Sequence, residues 1–155
     1  MTILRMPLLE DGRVYSRDEV AGYIGSHCGK CEYDFVLLGF PRDICDWELG
    51  LDHDRYRAGE AMVLQYRVFA IAEFIDQLRE KKKRYQARAG EWQRVRETVE
   101  RLSRGEPVYP VYLQQNDPLK RIIEGNHKAV ALLELGSQQL PAFVTGYRDW
   151  FIQDR

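Results

Sequence analysis

Glu124, Gly125, Asn126, His127 and Lys128 bring a carboxylate, a glycine and three nitrogen-bearing side chains into five consecutive residues. Such a set suits the handling of phosphate. From Leu119 to Gly136 the chain reads as a short strand, a tight glycine turn and a helix. A helix that opens here presents its unpaired backbone N–H groups and the positive end of its dipole. Gly125, Asn126, His127 and Lys128 are therefore the candidate ligand-binding residues. Lys128 would neutralise charge, and His127 would donate to a phosphate or move a proton during its transfer. Glu124 would orient a nucleophile or complete the shell of a magnesium ion beside the phosphates. Glu106, which precedes the neighbouring predicted strand, is a third candidate for a metal or base role, with a surface position after a helix as the alternative.

A second group of reactive side chains lies nearer the start of the chain. Cys28 and Cys31 are separated by two residues, the spacing that lets two thiolates face one metal ion, and Cys45 with His53 or His27 would complete a tetrahedral zinc site. Ordinary reduced cysteines and a redox dithiol are the other readings of the same spacing. A third group is basic: Arg79, Lys81, Lys82, Lys83, Arg84 and Arg88 place six cations in ten residues. It is either the solvated end of a helix or a contact for the phosphate backbone of DNA, chiefly through Lys81, Lys82, Lys83 and Arg84.

The elements that must carry these residues are partly legible from spacing. Ser16 and Glu19 form a capping-box pattern, predicting a short helix that ends by Gly25. Tyr33 to Phe40 is an apolar run closed by Pro41 and reads as a strand. From about Gly59, Ala61, Leu64, Val68, Ile71, Ile75 and Leu78 recur at spacings of three and four, which predicts one long helix with an apolar face, packed into a core or against a second copy of the chain. Gly90 is expected to break it, and Trp92, Val95, Val99 and Leu102 mark a second helix. Gly105-Glu106-Pro107 ends that helix, Val108 to Leu113 and Leu140 to Thr145 read as strands, and the glycine-turn helix lies between them. Tyr147 to Phe151 mixes aromatic and charged side chains that would cover the core or dock a partner.

The order helix, strand, strand, motif helix, strand resembles the ParB/sulfiredoxin superfamily. So does the wording of Gly105 to Leu113, Ile122 to Val130, and Glu134 to Gly136 followed by Leu140 to Ala142. The resemblance covers roughly Glu91 to Tyr147. It implies that Glu124 is the acidic position, Gly125 the turn and Lys128 the basic residue, where arginine is more usual, and that the helix end grips nucleotide phosphates, of ATP or CTP with magnesium. Asn126 stands where true sulfiredoxins carry their cysteine, which points away from sulfinic acid reduction. About twenty residues follow Gly136, too few for the helix-turn-helix of partition-type ParB proteins. Relatives of this kind include nucleotide hydrolases, nucleases, a small-molecule kinase and non-catalytic proteins, so the resemblance does not choose the reaction.

The whole chain has 155 residues, 45% apolar and 30% charged, enough for one domain with a core. A net charge of -1 argues against a protein that coats nucleic acid through bulk positive charge. No stretch approaches about twenty uninterrupted apolar residues, so a cytoplasmic protein is expected. The fold class expected is α+β: a small mixed sheet with the ParB/sulfiredoxin-like unit and a helical N-terminal half. Residues 1–58 would form an N-terminal segment packed on the core, and residues 59–155 the long helices and the strand-turn-helix unit. The function expected is nucleotide binding, with hydrolysis, phosphoryl transfer or nuclease action. A non-catalytic regulator that binds DNA or protein through the same fold is the alternative.

Overall fold

The computed structural model describes residues 3–16, 18–20, 22–23, 63–114 and 121–151. The fold is α+β, with a five-stranded sheet in the order β1-β2-β5-β3-β4. Its strands are β1 (Val14–Ser16), β2 (Val63–Ala70), β3 (Val111–Gln114), β4 (Ile122–Glu124) and β5 (Gln139–Gly146). The helices are α1 (Ile75–Gln86), α2 (Ala89–Ser103), α3 (Asn126–Glu134) and the one-turn α4 (Arg148–Phe151), with a 3-10 turn over Ile71–Phe74. Helix, strand, strand, helix, strand is the order from α2 to β5, as the sequence predicts. Among the described residues no helix is long and apolar enough to cross a membrane.

The long helix expected from Gly59 onward is replaced by β2, the 3-10 turn and α1. Strand β2 pairs antiparallel with β1, with Val14 opposite Gln65, Tyr15 opposite Leu64 and Ser16 opposite Val63. Leu64, Val68 and Ile71 do fall at helical spacing, but the segment is Val-Leu-Gln-Tyr-Arg-Val-Phe-Ala, rich in β-branched and aromatic residues. These lose side-chain freedom in a helix and pack well on a pleated sheet, so strand pairing overrides the apparent 3.6-residue period. Helix begins only after Ala70, whose N–H is accepted by Glu73 Oε2 at 3.2 Å.

Gly90 does not end a helix either. The break falls at Ala87 and Arg88, and Gly90 is the second residue of α2. In a first turn the backbone N–H has no intrahelical partner in any case, so glycine there gives up little. Strand β3 starts at Val111 rather than Val108, because Pro107 and Pro110 have no N–H to give a ladder. The preceding segment still pairs locally: Val108 N–H donates to Arg5 O at 2.8 Å.

The described contacts divide into two interleaved units. One comprises residues 1–8, 68–112 and 124–142. It holds α1, α2 and α3, and α3 packs against both other helices. Ala129, Val130, Ala131 and Leu132 are buried in succession, as expected of a helix covered on several sides. Ile71, Phe74 and Leu78 are buried within this chain. Each such fully buried large side chain contributes about 1.5–3 kcal/mol.

The other unit comprises residues 9–67, 113–123 and 143–155. Tyr66 meets Phe143 edge to face with ring centroids 5.9 Å apart, and burial pushes the Tyr66 phenol up to about 12. The predicted capping box forms here. Glu19 N–H donates to Ser16 Oγ at 3.1 Å, Ser16 N–H donates to Glu19 Oε1 at 2.9 Å, and residues 18–20 and 22–23 are helical. In the tail Tyr147 is fully buried with Trp150 edge-on to it at 5.1 Å, so its aromatic side chains cover the core. The strand expected over Tyr33 to Phe40 lies outside the described residues.

Candidate functional site

Gly125 joins β4 to α3 at φ +92° and ψ +25°, the left-handed region, as the N-cap of α3. A β-carbon at this position would stand 2.8 Å from Val111 Cγ1 and 3.3 Å from Val111 Cα. Glycine is therefore required twice, by the backbone angle and by the close approach to β3. The first intrahelical bond runs from Ala129 N–H to Gly125 O at 2.9 Å. No side chain caps the helix end, and its first turn holds no acidic residue. The backbone N–H groups of Asn126, His127 and Lys128 precede that first bond and so face outward from the helix start.

Side chains from both neighbouring helices converge on this end. The Lys81 ammonium, from α1, donates to Asn126 Oδ1. His127 Nε2 lies 2.7 Å from Glu91 Oε2, contributed by the first turn of α2. This bond, ahead of the nearby Arg94 and Arg88 charges, holds the Glu91 carboxyl below the usual carboxylate range. An ionised carboxylate can only accept, so the hydrogen sits on Nε2 of His127. The Tyr85 ring lies parallel to the imidazole, 12° from coplanar with centroids 4.5 Å apart. Burial pushes the Tyr85 phenol up, which keeps it neutral beside the pair. Arg94 completes the group, its Nη1 3.8 Å from Glu91 Oε1.

On the other flank the Lys128 ammonium stands 6.0 Å from the centroid of the Tyr109 ring, at the outer reach of a cation–π contact. Glu124, at the end of β4, is half-buried, and burial raises its carboxyl above the usual range against the opposing pull of Lys128. Gly125 N–H donates to the Glu124 carboxylate and lowers it by a smaller amount. The site thus holds one carboxylate tied to a histidine and another whose ionised form burial disfavours.

The residues predicted from the motif are together by construction, since Glu124, Gly125, Asn126, His127 and Lys128 are consecutive. Glu106 is exposed just after α2, and the carboxylate that meets His127 is Glu91 instead. Glu91 and Tyr85 were missed because each is a helix-surface residue tens of positions from His127, with no local spacing to mark it. The basic run divides: Lys81 reaches Asn126, and Lys82 pairs with Glu134 at 2.5 Å, while Lys83 and Arg84 are exposed. Cys28, Cys31, Cys45, His53 and His27, the zinc candidates, lie outside the described residues. No protein-family model matches this chain, and neither a curated protein nor a solved structure matches it.

Proposed function

We propose that this chain is a nucleotide-binding protein that seats phosphate groups at the start of α3, between Lys81 and Lys128. The observation that carries the reading is the delivery of Lys81, from a residue 45 positions away, to Asn126 at the uncapped positive end of α3. Helix starts favour acidic groups, and a lysine placed there works against the dipole. Two lysines, a histidine and the first-turn backbone N–H groups at one helix start offer donors and positive charge to an anion of high charge density. The ParB/sulfiredoxin resemblance of residues 122–130 argues for a nucleotide such as ATP or CTP, with magnesium, over a simple anion. A cytoplasmic setting, where nucleotides are supplied, goes with this reading.

The test is calorimetric titration with ATP, ADP, CTP and GTP in magnesium, on the parent and on Lys128→Ala. A charge-assisted contact is worth about 1.5–3 kcal/mol, so the variant should bind about tenfold to a hundredfold more weakly. Binding of none of the four, or equal affinity in the variant, would remove the assignment. A second reading, a non-catalytic DNA-binding regulator, rests on the exposure of Arg79, Lys83, Arg84 and Arg88 along one run. Charge reversal at Lys83 and Arg84 should then abolish retention on DNA at low salt.

A further inference from the structure

We infer that Glu91 and His127 form a proton-accepting pair, in which Glu91 positions His127 to take a proton from the water that hydrolyses the terminal phosphate of a bound nucleoside triphosphate. The inference rests on the phosphate-site reading above and adds to it a reaction, a substrate class and a positioning residue.

Three features of the geometry support it. The short bond from Nε2 to Glu91 fixes one ring nitrogen as the donor, so in the neutral imidazole Nδ1 is the basic nitrogen. The parallel Tyr85 ring restricts tilting of the imidazole out of its plane. His127 is also the second residue of α3, so the same turn that offers backbone N–H groups to a phosphate carries the base. A lone surface histidine has neither constraint. Here α1 supplies the stack, α2 supplies the carboxylate and α3 supplies the imidazole and the anion-facing backbone.

The step balances without another reactant. The water oxygen forms the new bond to the terminal phosphorus, and Nδ1 of His127 takes one of the water's protons. The bond from phosphorus to the bridging oxygen breaks, and its electron pair stays on the departing diphosphate, whose charge Lys81 and Lys128 offset. Glu91 stabilises the imidazolium that forms, and the proton later passes to solvent. Among the described residues, the charged and titratable groups beside the pair include Arg94 from α2, Arg88 just before it, Tyr85 from α1 and Glu124 from β4, while Lys81 and Lys128 belong to the same helix start.

The experiment measures nucleotide affinity by calorimetry and phosphate release across a pH series, on the full chain and on Glu91→Gln, His127→Ala and Glu100→Gln. Glu100, on the exposed side of α2, is the control for a change of charge on that helix. The pair predicts that His127→Ala loses about a hundredfold or more in kcat, the scale of general-base catalysis. Glu91→Gln should lose about tenfold to a hundredfold, as removal of an orienting partner does, with affinity within about threefold of the parent. Nitrogen-correlated NMR of the parent should show the Nε2–H form of the neutral His127 ring, and that preference should vanish in Glu91→Ala. A parent that binds nucleotide but releases no phosphate, or a Glu91→Gln variant with unchanged kcat and pH profile, overturns the pair and leaves the binding site standing. A parent that binds no nucleotide removes the site and the pair with it.

Discussion

Replacing Gly125 with alanine should cost this chain a large share of its stability, by two separable mechanisms. The backbone at φ +92° lies in the region L-residues avoid, at about 1–2 kcal/mol. The new methyl would also stand 2.8 Å from Val111 Cγ1 and 3.1 Å from Val111 Cβ, contacts that force β3 or the turn to shift. Overpacking of this kind costs about 1–3 kcal/mol. The sum is about 2–5 kcal/mol, against a total of about 5–15 kcal/mol for a typical domain. At about 2–4 °C per kcal/mol for a chain of this length, the midpoint of thermal unfolding should fall by roughly 4–20 °C. Urea unfolding of Gly125→Ala, Val111→Ala and the double variant separates the two mechanisms. Trimming Val111 removes the 2.8 Å contact with Cγ1 but leaves Cβ at 3.1 Å, Cα at 3.3 Å and the backbone angle unchanged, so the alanine at 125 should cost less in that background without falling below the about 1–2 kcal/mol of the angle itself. A loss below about 1 kcal/mol in the single variant, or the same loss with and without Val111, would refute the account of the turn.

Three further outcomes follow from the charges and the cysteines. Burial raises Glu124 above its ordinary range in the folded chain, so the folded state keeps this proton to higher pH than the unfolded state does. That contribution to stability is complete at acid pH and declines as pH rises through the folded value. Glu124→Gln should therefore lose less stability than the parent as pH rises above 4.5, measured by urea unfolding across a pH series. Lys82 and Glu134, 2.5 Å apart and both partly exposed, should show a coupling of only about 0.2–1 kcal/mol in a double-mutant cycle. A coupling several times larger would mean that solvent screens this pair far less than its exposure implies. If Cys28, Cys31, Cys45 and His53 hold zinc, protein purified without chelator should carry about one zinc per chain by elemental analysis, and a content far below that removes the zinc site.

The parts of this fold that could be read from sequence are those specified by neighbours a few positions apart. Ser16 and Glu19 satisfy each other's backbone across three residues, and Gly125 answers a local backbone angle, so both were visible. Strand β2 was not, because its side chains fit two periods and the deciding interaction is pairing with β1, about fifty residues earlier. Glu106 is a candidate for a metal or base role in sequence because it precedes the strand expected beside the motif strand. The structure chooses Glu91, because α2 packs against α3 and its first turn lies beside His127. Lys81 illustrates the same limit from the other side. In sequence it is one of six cations in a run, and only the packing of α1 against α3 separates it from Lys83 and Arg84, which remain exposed.

That separation changes what the charge of the run means. A helix start with no acidic residue in its first turn already carries excess positive potential, and folding adds Lys81 to the Lys128 that the first turn supplies. Glu91 offsets part of this, but its charge is committed to His127 and Arg94. Glu124 offsets less than a full charge wherever its burial keeps it protonated. Were stability the only constraint, a Ser or Asp cap and fewer cations at this end would serve α3 better, by about 1 kcal/mol for the cap alone. Under the proposed function the arrangement is one whose energy falls when an anion arrives. A bound phosphate would add acceptors and negative charge at the first turn in a single step. Phosphate or nucleotide should accordingly raise the unfolding midpoint of the parent, and Lys81→Ala should raise the midpoint of the ligand-free chain while shrinking that ligand-induced shift. A Lys81→Ala variant that is less stable without ligand and responds to it as the parent does would show that the lysine serves only to pack α1 on α3.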